Sequence, residues 1–304
     1  MNIIFMGTPE FAVPSLQAIH KHFGVSAVVT VPDKPQGRGM KLTPSAVKIA
    51  ALELGLPVLQ PESLKSEAFR SEIEALKPDI IVVIAFRILP ASIYTLASLG
   101  AFNIHGSLLP KFRGAAPINW AIINGEKESG VTSFLLNDKV DTGKILLKRS
   151  CSISDSMTAG ELYTTLMPLS AELAVETCTL LAEGKAVPMQ QDDTIATPAP
   201  KLFRDQCSID WSKSAHDVRN FVRGVNPAPI AWVIWESKRL KVYSVELENR
   251  VLPSGTWRIE DGKFIVGCGD GNCIHLIEIQ QEGKPKMNVD VFLRGYRGAS
   301  EGKF

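Results

Sequence analysis

The segment DIIVVIAFRILPASIYTLASLGAFNIH, residues 79–105, holds two short apolar runs with a helix-like stretch between them. The first run, 79–86, is unbroken and rich in Ile and Val, which suits a strand covered on both faces. PASIYTLASLG opens on Pro and closes on Gly, as helices often do. AFNIH then reads as the next strand. A strand, a crossing helix and a second strand make a βαβ unit, so the two strands should run parallel.

The same alternation extends in both directions. NIIFMGT (2–8), SAVVTV (26–31) and LPVLQ (56–60) read as further strands, and PSLQAIHKHF, PSAVKIAALELG and SEAFRSEIEALK as helices between them. The expected fold is therefore α/β with a mostly parallel open sheet. GVTSFLL and KILLKRSCSI flank a turn at NDKVDTG, and a long helix over 158–183 follows. Residues 185–206 change character, with three prolines and weak periodicity, and read as a linker. Beyond it lie one helix, SAHDVRNFVRGV, and then only strand-and-turn patterns, which suggest a small β-barrel.

At 304 residues the chain has room for two domains of roughly 100–200 residues each. A formal net charge of +1 gives no global attraction to nucleic acid, so an RNA partner would need a local basic patch. No run of about 18 apolar residues suggests a membrane span. The N-terminus reads as a first strand rather than a signal peptide, so a cytoplasmic protein is expected. Five scattered cysteines include Cys268 and Cys273 around GDGN, where a hairpin turn explains the spacing and no metal is expected. With no apolar stripe outside the core, a monomer is the expectation.

The first strand ends in MGTPEFA, with a single glycine at Gly7, and no phosphate-loop pattern occurs anywhere. NAD and ATP are thus poorly supported. Ligands of open α/β sheets bind beyond the carboxyl ends of strands. Asn103 and His105 fall at such an end and, two apart, share one face. Asp141 stands in the turn between the two later strands. Together an amide, an imidazole and a carboxylate could stabilise an oxygen that becomes negative, as in acyl transfer to an external nucleophile. Ser107 lacks the surroundings of a serine nucleophile. Each residue also has an ordinary reading: a histidine bonded to backbone, a strand-end asparagine, an aspartate that forms a turn. From spacing alone both readings stay open.

FNIHGSLLPKFRGAAPINWAIINGEKESGVT followed by DTGKILL resembles the 10-formyltetrahydrofolate-dependent formyltransferases. GTPEFAVPSL, PDKPQGRGMKLTPSAVK, APKLFRDQCSIDW, FVRGVNPAPIAW and GDGNCIHLIEIQQEGKPKM extend the resemblance over nearly the whole chain. It implies a Rossmann-like formyltransferase catalytic domain over 1–184, a linker over 185–206, and an OB-type β-barrel over 207–304 that contacts tRNA. Asn103, His105 and Asp141 match the family's catalytic trio. Ser107, Leu108, Leu109 and Pro110 match its folate-binding segment. Phe86 and Arg87 stand at the folate edge, where the family commonly has Tyr and Gly, so a hydroxyl is lost and a cation gained.

The loop PDKPQGRGMK, residues 32–41, matches one that reaches the acceptor end of tRNA, with Lys34, Arg38 and Lys41 as its cations. Phosphate contacts of this kind give affinity without reading sequence. Lys238, Arg239 and Lys241 form the one basic cluster in the barrel, and there an RNA contact and a guarded strand edge are equally consistent. The resemblance implies formyl transfer from 10-formyltetrahydrofolate, as cosubstrate, to the α-amino group of methionine on initiator methionyl-tRNA. An amino-sugar acceptor is the alternative within the family, and an RNA-binding module with no turnover the alternative outside it. The basic loop argues for tRNA.

Overall fold

The computed structural model describes residues 1–36 and 41–304. It divides into two compact units. One comprises Met1–Pro117, Glu128–Cys151 and Tyr163–Ala199; the other comprises Ile118–Lys127, Ser152–Leu162 and Pro200–Phe304.

The first unit is built on β1 (Ile3–Gly7), β2 (Ala27–Val29), β5 (Val58–Leu59), β6 (Ile80–Ile84), β7 (Gly100–His105), β8 (Glu128–Leu135) and β9 (Ile145–Ser152). Their order across the sheet is β5-β2-β1-β6-β7-β8-β9. Pairs from β5 to β7 are parallel, whereas β7 and β8 run antiparallel. Chain order reverses between β1 and β6, which makes the carboxyl ends of these strands the switch point where α/β sheets bind ligands. Every residue of β1 and β6 is buried, as continuous apolar runs predict.

Between strands lie α1 (Val13–Phe23), α2 (Ala46–Glu53), α3 (Glu67–Ala75) and the single turn α4 (Ala91–Tyr94). Ser45 and Ser66 start α2 and α3 by accepting hydrogen bonds from Lys48 N and Phe69 N. Ile4, Met6, Ile81 and Val83 on one face of the sheet pack with Phe69, Ile73 and Ile93 from α3 and α4. The segment before α2 is a two-stranded hairpin, β3 (Lys34–Gln36) and β4 (Lys41–Thr43), where the sequence suggested an irregular loop. α5 (Pro117–Ile123) and the 24-residue α6 (Ala159–Ala182) complete this part of the chain.

The second unit carries α7 (Ala215–Gly224), β10 (Ala231–Trp235), β11 (Lys238–Glu248), β12 (Thr256–Glu260), β13 (Lys263–Gly267), β14 (Cys273–Gln281), β15 (Met287–Asn288), α8 (Val289–Gly295) and β16 (Glu301–Lys303). Six strands form an antiparallel path, β10-β11-β14-β13-β12-β16. At about 4.8 Å between neighbours, a flat sheet would hold β10 and β12 roughly 19 Å apart. Yet the rings of Trp235 on β10 and Trp257 on β12 lie 5.9 Å apart, edge to face. The sheet therefore curls around its core, as expected of an OB-like domain. A register shift near Ser244 in β11 helps it bend.

Phe264, Phe292 and Tyr296 complete an aromatic centre around Trp235. Phe292 lies on α8 and Tyr296 directly follows it, where the sequence suggests only strand and turn. The seven residues of α8 are too few for clear periodicity, and what holds it is the docking of those two rings. Arg223 on α7 explains why 152–162 belongs with this unit: its guanidinium donates to Ser154 O and Met157 O, while Arg219 donates to Asp155 O.

Two outcomes follow for stability. A Cβ on Gly130 would stand 2.1 Å from Arg149 O, a backbone atom that cannot step aside. Gly130→Ala should therefore cost about 1–3 kcal/mol, read as a fall in Tm of about 2–4 °C per kcal/mol. His275 is held below its ordinary 6.5 first by burial, then by the Lys263 charge. The unfolded chain binds that proton more readily, so stability should fall as pH drops below 6.5 towards the lowered folded value. Urea titrations of wild type and His275→Gln should show a flatter dependence for the variant between about pH 5 and 6.5.

Candidate active site

β7 positions the first two residues. Asn103 and His105 point to the same face, opposite Phe134 and Thr132 of antiparallel β8. His105 is buried, and its Nε2 lies 2.7 Å from Phe112 O. A carbonyl can only accept, so Nε2 carries a proton and donates it there. Nδ1 is the remaining ring nitrogen, and it faces Asp141 Oδ2 at 3.8 Å, beyond hydrogen-bond range. Asp141 Oδ2 instead accepts from Gly114 N at 2.9 Å. The structure thus brings His105 and Asp141 together, each fastened to the loop 112–114.

Asn103 is half-buried, and its Oδ1 is buried without a hydrogen-bond partner among the described residues. A buried acceptor left unpaired costs about 1–3 kcal/mol, which makes it a place where a ligand N–H would be welcome. Among the described residues, neither the Asn103 side chain nor His105 Nδ1 is hydrogen-bonded to the protein's own backbone.

Backbone geometry fits these duties. Phe112 and Asp141 both adopt left-handed conformations, with φ of 61° and 57°. Gly114 has φ +127°, and a Cβ there would lie 2.6 Å from Ala199 O, so only glycine fits.

The segment Ser107–Pro110 is a locked frame. Ser107 is fully buried and its hydroxyl donates to Lys111 O at 2.7 Å. Thr132 ties the same segment twice, donating to Ser107 O at 2.7 Å and accepting from Leu109 N at 3.1 Å. Leu109 packs with Phe134 and Ile145, Pro110 is buried, and Leu108 is half-buried. Lys148 Nζ donates to Leu109 O, and its burial pushes that ammonium below the usual lysine range. Arg87 donates through Nη2 to Pro61 O at 2.8 Å and through Nη1 to Glu62 O at 3.0 Å. Its guanidinium also lies 5.2 Å from the centre of the Phe86 ring. Arg87 therefore holds the loop at 61–62 beside the end of β6.

Of the cations in the basic segment, Lys34 is exposed on β3, Lys41 is described only as backbone of β4, and Arg38 lies outside the described residues. Both ends of this hairpin are pinned. Lys48 Nζ donates to Asp33 Oδ2 and Gln60 Oε1, each at 2.7 Å, and Thr30 bonds Ser45 at 2.7 Å. In the other unit, Arg239 stacks on Trp232, with its guanidinium 4.3 Å from the ring centre.

Sequence reasoning missed two residues here. Thr197 Oγ1 accepts from Phe112 N at 2.9 Å, and buried Gln191 bonds both Arg113 and the backbone at Asp141. Both belong to the stretch read as linker. Nothing local marks them, since their partners stand 50 to 85 residues away.

The family model described as formyl transferase matches residues 1–178, and that of the formyl transferase C-terminal domain matches 201–297. The methionyl-tRNA formyltransferase of Chlorobium luteolum is 47% identical over 306 residues, covering 98% of this chain and 97% of its own. That of Caldanaerobacter subterraneus subsp. tengcongensis is 46% identical over 301 residues, covering 97% of both chains. Among solved structures, an N-formyltransferase from Helicobacter canadensis, in complex with folinic acid and dTDP-3-aminofucose, has a TM-score of 0.69. At 21% identity over 92% of this chain and 98% of that one, the likeness is of fold alone. By its two family domains and its near full-length relatives, the chain belongs to the formyl transferase family, among the methionyl-tRNA formyltransferases.

Proposed function

We propose that Asn103, His105 and Asp141 form the site where this formyltransferase moves the formyl group of 10-formyltetrahydrofolate to the α-amino group of methionine on initiator methionyl-tRNA. One observation carries the reading: unpartnered Asn103 Oδ1 and the His105 imidazole stand on one strand face, with Nδ1 beside a buried carboxylate but out of hydrogen-bond range of it. No side-chain nucleophile is needed. The bond from the folate nitrogen to the formyl carbon breaks as the bond from the amine forms. One proton leaves the amine and one reaches the folate nitrogen. An α-amino group titrates at about 7.7–8.0, so a useful neutral fraction exists near pH 7.

The residues then divide the work. Asn103 Nδ2 and His105 Nδ1 donate to the formyl oxygen as it gains charge. Asn103 Oδ1 accepts an N–H of the attacking amine, which satisfies the orphaned atom. Asp141 lies close enough to Nδ1 to complement a positive ring, and far enough to leave its N–H for the substrate. The Ser107 hydroxyl hydrogen is already used within its own turn, so Ser107–Pro110 would serve folate as a shaped wall. Phe86, with the arginine beside it, would supply the other edge.

In this reading residues 1–184 carry the chemistry, 185–206 link, and 207–304 hold tRNA together with Lys34, Arg38 and Lys41. The enzyme works as a cytoplasmic monomer. Among the described residues no helix is long and apolar enough to cross a membrane.

The test is formyl transfer by the purified enzyme, with initiator methionyl-tRNA beside a nucleotide-linked amino sugar as acceptors. Formylmethionyl-tRNA should be the product, and Asn103→Ala and His105→Ala should each lower kcat by about 10²–10³. Unchanged turnover in His105→Ala would end the assignment, and a formylated sugar would overturn the acceptor. Lys34→Ala should raise KM for the tRNA alone and reduce the slope of log KM against log salt by about 1.

A further inference from the structure

Gln191 stands apart from the catalytic residues in sequence but not in space. It is 5% exposed, and its amide makes four hydrogen bonds at once. Its Oε1 accepts from Arg113 Nε at 3.1 Å and Nη2 at 2.7 Å. Its Nε2 donates to Asp141 O at 3.0 Å and Gly143 O at 2.8 Å. Arg113 lies between Phe112, whose carbonyl holds His105, and Gly114, whose amide holds Asp141. Thus one buried side chain joins the loop that orients the imidazole to the backbone that carries the carboxylate.

We infer that Gln191 is a positioning residue for catalysis: it sets the separation of His105 and Asp141 by cross-tying Arg113 to the Asp141 turn. The inference rests on the site proposed above. It goes beyond that site in making a stretch with a linker's sequence part of its frame.

The chemistry of the tie is specific to an amide. Both halves are needed in one plane, an acceptor towards the guanidinium and two donors towards carbonyls. A glutamate would keep the Arg113 contact and set a carboxylate about 3 Å from two carbonyl oxygens. A methionine would fill a similar volume and keep neither half. The neighbourhood leaves little slack for compensation. A Cβ on Gly143 would fall 1.6 Å from Leu135 O, so this turn sits hard against β8. Thr197 and Ala199 anchor the other side of Arg113, through Arg113 N to Thr197 O at 2.9 Å and Ala199 N to Arg113 O at 2.6 Å. With both flanks fixed, losing the tie should appear as a shift of the Asp141 turn.

The experiment measures kcat and KM for both substrates in Gln191→Glu, Gln191→Met and Arg113→Lys, with hydrogen exchange of the Gly114 amide followed by NMR. Misplacement on the scale of 1 Å can cost about 10²-fold, so kcat should fall by about 10- to 100-fold while both KM values hold. The Gly114 amide, which reports its bond to Asp141, should exchange faster. Wild-type kcat in both Gln191 variants would overturn the inference, whatever their Tm. So would a rise in KM at unchanged kcat, or Gly114 exchange at the wild-type rate. If either Gln191 variant fails to fold, Arg113→Lys, which keeps the charge but not the two-pronged grip, decides alone. Should the wild-type enzyme not formylate methionyl-tRNA, the proposed function falls, and Gly114 exchange still decides whether Gln191 is the tie.

Discussion

The imidazole of His105 is held by a backbone carbonyl, and much of the site depends on that one bond. Phe112 O accepts the hydrogen bond from Nε2, which fixes the ring plane and leaves Nδ1 towards Asp141. For that carbonyl to turn inward, Phe112 adopts φ of 61°, a conformation that costs a non-glycine residue about 1–3 kcal/mol. Something must hold it there. Thr197 accepts from the Phe112 amide, and Gly114 closes the turn against Ala199 where no side chain would fit. The strain in the loop and the orientation of the ring are therefore one constraint.

The antiparallel strand β8 transmits this order to the segment Ser107–Pro110. A parallel β8 would set its residues along β7 in the opposite order. Antiparallel pairing instead sets Thr132 opposite His105, and its hydroxyl fastens both Ser107 O and Leu109 N. The result is a mostly buried segment tied at Ser107 and Leu109. Its side chains offer shape rather than polar chemistry, which is why the proposed polar contacts fall to Asn103 and His105.

The sequence displayed the sheet well, because the parallel strands are short unbroken apolar runs and their helices start at serines that cap them. It also displayed the shared face of Asn103 and His105, since a two-residue spacing is a local property of a strand. Asp141 was legible locally only as a turn residue; its place beside His105, 36 residues earlier, was an expectation from fold and resemblance rather than from spacing. Gln191 and Thr197 were not legible at all. A polar stretch with prolines looks the same whether it is solvated or buried against a loop 78 or 85 residues earlier. Helix α8 was missed for a related reason, because two aromatic rings docked on Trp235 define it rather than any repeat of its own.

The separation of His105 and Asp141 deserves a physical reason. At 3.8 Å the carboxylate is out of hydrogen-bond range of Nδ1, and its Oδ2 accepts from the Gly114 amide instead. In the proposed mechanism a shorter contact would tie up Nδ1, the group assigned to the developing oxyanion. A longer one would take the carboxylate away from the imidazole that it faces in a buried site. The observed distance lies between these failures, and it is held by neighbours of the two groups rather than by the groups themselves. Both the Phe112–Gly114 loop and the Asp141 turn are braced from outside, by Thr197, Ala199 and Gln191. If these groups are to stay unpaired for a substrate, as proposed, they cannot hold one another in place, so their geometry has to come from the residues that brace them.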